Sequence, residues 1–400
     1  MLLIGSSLIA APAKPTKTAL SKSKPVAIAK SVRIPVSVTG AGDYAIYPAL
    51  IPLKAGITST DTPILKMANA TTYPAVVKVG GKTYLAALLK DVKKGETRTG
   101  SLTFSKQRRS EGVVTLSYIG GESLIKVDGK YFAQYNVIDV PKPFIWPIYA
   151  PDQSNITRNF PMYDVEGEDQ DHPHHRGLWF GHGSVNGTDF WLEGDKSGKV
   201  VQKSSTQDIS PNVAVLQNQN DWTTADGKLV CQDERTILFW AMSNPRVMDF
   251  FITVKATQGP VVFGDTKEGT MALRTPKWMT VKAGTGHIEN SEAYRDKDAW
   301  GKRAKWVDYY GASPTGKTIG VAILEYADNF RFPTYWHARD YGLFAANPFG
   351  IKDFTGDKTQ KGDYTIPKGQ SLTLKYRVIV HEGDTQAAGI ARIADQFYAK

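Results

Sequence analysis

A period of two dominates the hydrophobic pattern of this chain. Ser371–Val380 is the clearest case: Leu372, Leu374, Tyr376, Val378 and Val380 take every second position, so they share one face of an extended strand. Val247–Ala256 and Lys317–Tyr326 are further apolar runs that predict strands. Val76-Val77-Lys78-Val79, Gly80-Gly81 and Thr83-Tyr84-Leu85 predict a hairpin, because a two-residue hairpin turn needs positive φ, which glycine adopts freely. Lys94-Gly95-Glu96-Thr97 predicts a turn before a strand at 101–104, and Asp128-Gly129 and Asp226-Gly227 predict two more hairpins. Only the last segment has a helical period. Ile390, Ile393, Ala394 and Phe397 fall on one face there, with Thr385 as the expected N-cap.

Strands thus fill the chain from 32 to 380, which predicts an all-β fold: a large antiparallel β-sandwich, preceded by a small β-sandwich domain and followed by a C-terminal helix. The expected organisation is a signal peptide and basic linker at 1–31, a small all-β domain at 32–105 and a main domain at 106–400. No repeat of 20–50 residues is visible.

Composition changes this picture little. The chain has 400 residues, 41% hydrophobic and 22% charged, which is ordinary for a globular protein. Its net charge of +10 is concentrated at one end. Lys14, Lys17, Lys22, Lys24, Lys30 and Arg33 all precede the first acid, Asp43. With that tail set aside, no basic stripe or recognition module argues for nucleic acid. The single cysteine, Cys231, excludes an internal disulfide and sits in an expected strand, where it reads as a packing residue. The apolar start Met1-Leu2-Leu3-Ile4 and the small-residue run Ala11-Pro12-Ala13 resemble a secretory signal. Periplasmic or extracellular location follows as an expectation, with no membrane span after signal removal.

The chemistry concentrates in one place. Four of the seven histidines, His172, His174, His175 and His182, lie within eleven residues, beside Asp171 and Arg176. Imidazole is the side chain best suited to metal ligation or proton transfer near neutral pH. As ligands, His172, His174 and His182 would hold a divalent metal (zinc, copper or iron). As acid–base groups, His172, His174 or His175 would exchange protons with a substrate. A structural role, with the rings satisfied by Asp171, Arg176 and backbone, is the third alternative.

Three further constellations stand out. Gly264-Asp265-Thr266-Lys267-Glu268-Gly269 places two acids and a lysine between apolar strands, followed by Arg274. Asp265 or Glu268 would partner a histidine, and Asp265 and Lys267 would share a strand face. Trp306 and Asp308 also share strand parity, and a tryptophan beside a carboxylate suits a sugar, the ring against C–H bonds and the carboxylate on hydroxyls. His337 and Arg339 share parity in a fourth segment that leads to Asn347. There is no P-loop, no dinucleotide fingerprint and no nucleophile elbow.

Across these segments the chain resembles the family labelled PmoA-like, also catalogued as a domain of unknown function. The matching phrases are Arg158-Asn159-Phe160-Pro161-Met162, Asp171-His172-Pro173-His174-His175-Arg176-Gly177-Leu178-Trp179, Gly264 to Gly269, Trp306-Val307-Asp308-Tyr309, and Trp336 to Gly342 with Asn347-Pro348-Phe349-Gly350. They cover roughly residues 110–382. The methane-oxygenase name belongs to an integral membrane subunit, whereas this chain has no internal apolar span. The resemblance instead implies an exported protein of polysaccharide-degrading bacteria, with a supersandwich-like fold.

The expected function is therefore an exported carbohydrate-active enzyme of hydrolase, lyase or epimerase type, acting on an oligo- or polysaccharide. His172, His174, His175, Asp265, Glu268 and His337 are the catalytic candidates. Arg158, Arg176, Trp179, His182, Lys267, Arg274, Trp306, Asp308, Arg339 and Asn347 are the substrate-binding candidates. The alternatives are a metal-dependent oxidoreductase or hydrolase and a non-catalytic glycan-binding protein.

Overall fold

Two eight-stranded antiparallel sheets face each other across one core. The computed structural model describes residues 34–39, 44–54, 61–67, 70–93, 95–106 and 112–398. The expected leader and linker lie outside these residues. The first sheet runs in the order Tyr335–Trp336, Leu343–Asn347, Gly269–Arg274, Leu178–His182, Phe144–Ile148, Lys130–Asn136, Glu122–Val127 and Val114–Ile119. The second runs Lys199–Ile209, Val213–Thr223, Leu229–Trp240, Arg246–Lys255, Ser371–Glu382, Thr318–Glu325, Trp306–Ala312 and His287–Asn290.

Strand parity decides which side chains meet. In Ser371–Glu382, Leu374, Tyr376, Val378 and Val380 enter the core between the sheets, while Ile379 faces outward. Leu178 and Phe180 of the first sheet enter the same core, with Met271, Leu273, Phe344 and Ala346 beside them. Each such apolar side chain, moved out of water, contributes about 1.5–3 kcal/mol. Cys231 is fully buried there, as its apolar neighbours predicted.

The second sheet's outer face is covered. Val77 and Val79 of the N-terminal hairpin pack on it with Leu238, Phe251 and Ile379, and Ile390 and Ala394 of the C-terminal helix join them. The N-terminal strands form a four-stranded and a three-stranded sheet around Leu65, Leu85 and Leu102. The glycine hairpin forms as the pattern required, with Gly80 and Gly81 at φ +55° and +77°. Asp128 and Gly129 also turn through positive φ, as does Gly227.

Two details of the helical reading need correction. The helix spans Ile390–Tyr398 and carries the expected apolar face, but Thr385 does not cap it. Its hydroxyl donates instead to Asp308 Oδ2 at 2.7 Å. A second, single-turn helix, Ile351–Thr355, forms where no helical period exists. A run of five residues is too short to show one.

Glu325 sits at the end of the core, opposite Tyr376 in the strand pairing. It is fully buried and accepts hydrogen bonds from Thr334 N–H at 2.8 Å and the Asn329 amide at 3.5 Å. Burial pushes its pKa up to about 8 despite both bonds. A raised carboxyl pKa stabilises the fold most fully below the unfolded value, and that contribution is lost as pH rises through the folded value. Stability is therefore expected to fall between pH ~5 and pH ~8. In Glu325→Gln this slope should flatten, which urea melts at both pH values would register.

Candidate functional site

The outer face of the first sheet carries the histidines. Pairing aligns Phe144 with Trp179, Trp179 with Ala272, and Ala272 with Ala345. His337 extends the row by exchanging backbone bonds with Ala345 at 2.9 and 3.2 Å. Paired residues of antiparallel strands point to the same face, so Trp179 and His337 stand at the two ends of one row with two alanines between them. Three strand spacings separate those ends, roughly 14 Å. The next row reads Gly177, Arg274, Leu343 and Arg339, fixed by Arg274 N–H to Gly177 O and Arg339 N–H to Leu343 O. The two alanines of the first row are fully buried, packed with Trp179, Trp191 and Leu343, and Tyr341 lies against this cluster.

The irregular loop 158–177 folds over the Trp179 end of the row. Gly177 is required at its end. φ there is +54°, and a Cβ would lie 2.2 Å from Ile145 O. His172 also takes a left-handed φ of +45°, a strained conformation for a non-glycine residue that tends to mark functional sites. Its carbonyl is gripped from both sides, by Arg158 Nη2 at 2.8 Å and His175 N–H at 3.0 Å.

Four rings stack here in a ladder. Tyr341 lies on His172 at 5.5 Å, His172 on His175 at 4.7 Å, and His175 on Trp179 at 5.2 Å, all within 24° of parallel. Trp191 closes the inner end against Trp179 at 5.0 Å. The tautomers follow from the partners, since guanidinium only donates and carboxylate only accepts. Arg274 Nη1 donates to His175 Nδ1 at 3.1 Å, which places the His175 proton on Nε2. Asp171 Oδ2 lies 3.1 Å from His172 Nδ1, which places that proton on Nδ1 and leaves the Nε2 lone pair free. His172 is 42% exposed, so this lone pair is the accessible one.

Asp171 is itself pinned. Its Oδ1 accepts from Arg274 Nη2 at 2.7 Å and from Arg158 Nη1. Burial opposes its charge, but Arg274 and Arg158 outweigh burial and hold its pKa below the usual carboxylate range. Burial pulls His174 down to about 4, helped by nearby Lys142 and His172, and drives His175 lower still. Both are neutral at physiological pH.

At the other end of the row, His337 Nδ1 donates to Lys267 O at 3.1 Å, and its buried Nε2 has no partner. Burial, helped by the charges of Arg339 and Lys267, pulls its pKa down to about 3. Glu268, 29% exposed, pairs with Lys267 at 2.6 Å. Its charge reaches Tyr341, the outer ring of the ladder. Arg339 lies over Trp300 at 5.4 Å. The structure therefore brings together His172, His174, His175, Arg274, Lys267, Glu268, His337 and Arg339.

Several expected members do other work. His182 has the parity of Leu178 and Phe180, so it enters the core, meets Phe263 at a tilt and Phe349 edge-on, and donates to Gly264 O at 2.7 Å. Asp265 is not on a strand. It accepts from the backbones of Lys352 and Gly362 and ties two loops together. Asn347 bridges Thr266 O and Phe349 N–H in the same way. Arg158 is buried with its donors committed to Phe160, Asp169, Asp171 and His172. Trp179 is fully buried beneath His175 and cannot stack on a ligand. Arg176 grips Glu193 with Nε and Nη2 at the edge of the site.

Trp306 and Asp308 are the largest displacement. They share parity, as expected, but it turns them to the outer face of the second sheet. Trp306 packs under the C-terminal helix, and Asp308 accepts from His381 Nε2 at 3.0 Å and from Thr385. The whole sandwich separates them from His337. The expected metal set fails for a related reason. His182 points into the core away from His172 and His174, and among the described residues no three His, Cys, Asp or Glu side chains converge on one point.

Tyr341, Trp191, Trp300, Lys142 and Glu193 belong to the site and were not singled out. Tyr341 has the odd-numbered parity of His337 and Arg339, a signal the sequence did contain. Lys142 donates to Glu193 at 2.9 Å and to Trp191 O at 2.8 Å, a contact across 50 residues that no local pattern announces.

Fold and site together define an antiparallel β-sandwich protein with an Asp–His–Arg cluster on the outer face of one sheet. The chain belongs to a family of unknown function, DUF6807, whose match covers residues 122–395. That agrees with the domain-of-unknown-function part of the resemblance and does not extend to the PmoA label. Among curated proteins none matches. Similar solved structures include a glycosyl hydrolase family 38 protein from Enterococcus faecalis, with a TM-score of 0.40 at 10% identity over 91% of this chain and 46% of that one. An alpha-mannosidase from Enterococcus faecalis V583 gives 0.40 at 10% identity over 90% and 44%. This chain spans about half the length of both. A likeness of that order says nothing about activity.

Proposed function

We propose that this protein is a carbohydrate-active enzyme working by acid–base catalysis, with His172 as the proton-transfer group. One observation carries the reading: an exposed imidazole edge whose opposite nitrogen is held by Asp171, which two buried arginines hold in turn. A base oriented by a carboxylate is the arrangement that proton abstraction needs. His174, His175 and His337 stay neutral and shape the site, and Glu268 stands on the facing side as the second titratable group. Trp300, half-buried, replaces Trp179 and Trp306 as the ring offered to a sugar face, since Tyr341 is covered by His172 and Arg274. Export remains part of the proposal and rests on the N-terminal sequence alone.

The test is product formation from a panel of neutral and acidic oligosaccharides, followed by mass spectrometry. Wild-type protein is expected to convert at least one class, and His172→Asn to convert none. Saturable binding by wild-type protein with no product would instead make this a glycan-binding module.

A further inference from the structure

We propose that the site takes an acidic sugar, a uronate whose carboxylate pairs with Arg339, and that the reaction opens by removing the hydrogen on the carbon next to that carboxylate. This narrows the acid–base reading above and rests on it. Arg339 is the unmatched cation of the site. Arg158 and Arg274 share Asp171, Arg176 and Lys142 share Glu193, and Lys267 has Glu268. Among the described residues no carboxylate pairs with Arg339; it donates to the Tyr341 hydroxyl, and its buried Nε has no partner. It is nonetheless held in place, its backbone paired with Leu343 at 2.7 Å and its guanidinium against Trp300 at 5.4 Å and Tyr341 at 6.0 Å. A planar guanidinium fixed between rings and lacking a carboxylate is preorganised to receive one from a ligand.

The position fits the chemistry. Tyr341 joins the two groups: it stacks on His172 at 5.5 Å, and the Arg339 guanidinium lies 6.0 Å from its ring, with Arg274 nearer at 4.7 Å. In a pyranose uronate the C5 hydrogen is α to the C6 carboxylate. His172 Nε2 takes that proton: the C5–H bond breaks, an N–H bond forms, and the electron pair moves into C5–C6. The second negative charge then rests on the carboxylate oxygens, where a fixed guanidinium stabilises it most. Water gives a proton to the other face of C5 and the hydroxide so formed takes the one held by His172 Nε2, which leaves the epimer and a neutral His172. Alternatively, C4=C5 forms as C4–O4 breaks, and O4 leaves with that bond's electron pair and takes a proton from water. Neither route needs an oxidant or a reductant, and a neutral sugar has no hydrogen of comparable acidity at C5.

The experiment pairs oligogalacturonate, oligomannuronate and oligoglucuronate with their carboxyl-reduced neutral counterparts. Binding is read by calorimetry, and C5 deuterium uptake in heavy water by proton NMR. At least one uronate is expected to bind about tenfold or more tightly than its neutral counterpart and either to exchange its C5 hydrogen or to lose it with formation of C4=C5. Arg339→Gln should bring that ratio near one, Arg339→Lys should restore part of it, and His172→Asn should bind without exchange. Equal binding of the acidic and neutral forms overturns the uronate assignment and leaves the carbohydrate reading standing. Tight uronate binding with neither C5 exchange nor an unsaturated C4=C5 product overturns the proton-abstraction step. Absence of binding to every oligosaccharide overturns the carbohydrate reading and this inference with it.

Discussion

His172→Asn is expected to lower turnover by ~10²–10⁴, the usual contribution of a positioned general base, while the protein stays folded. Asparagine is the appropriate replacement because His172 sits at φ +45°, a conformation asparagine tolerates better than most residues. The side chain is 42% exposed, and substitutions at exposed positions usually change stability by no more than about 0.5 kcal/mol. A large loss of rate with an unchanged melting curve is therefore the expected pair of results. The same substitution at His182, buried against Phe263 and Phe349, should give the reverse. If His172→Asn kept wild-type turnover per folded molecule, the proton would be moving through another group.

The second large effect concerns a residue that sequence patterning placed at the site. Asp308→Ala is expected to cost about 3 kcal/mol of stability, because two buried donors, His381 and Thr385, lose their acceptor at roughly 1–3 kcal/mol each. Activity per folded molecule should not change, since Asp308 lies on the opposite side of the sandwich. Denaturant melts and rates normalised to folded protein separate the two effects. Full stability with lost activity would return Asp308 to the site and contradict the placement.

These cases show what sequence could and could not convey. Period-two patterns are local, so the Ser371–Glu382 strand, the Gly80-Gly81 turn and the shared face of His337 and Arg339 were all legible. Parity tells which residues share a face but not which of two faces, nor on which sheet. Trp306 and Asp308 share a face as expected, yet that face is covered by the N-terminal strands and the C-terminal helix. His182 could have been placed correctly, because its parity matches Leu178 and Phe180. The pairing of Arg274 with Asp171 and His175 spans about 100 residues, and only the tertiary fold creates it. The histidine density marked the right place. Which histidine is the oriented base depended on Asp171, Arg158 and Arg274 meeting in space.

The most direct test of the account is the protonation pattern of His172, read by ¹⁵N NMR of the imidazole nitrogens at neutral pH in wild-type protein and in Asp171→Asn. The account predicts a protonated Nδ1 and a bare Nε2 in the wild type, with the preference weakened when Asn replaces Asp171. A wild-type His172 carrying its proton on Nε2 would leave no free base facing the substrate and would contradict the central claim.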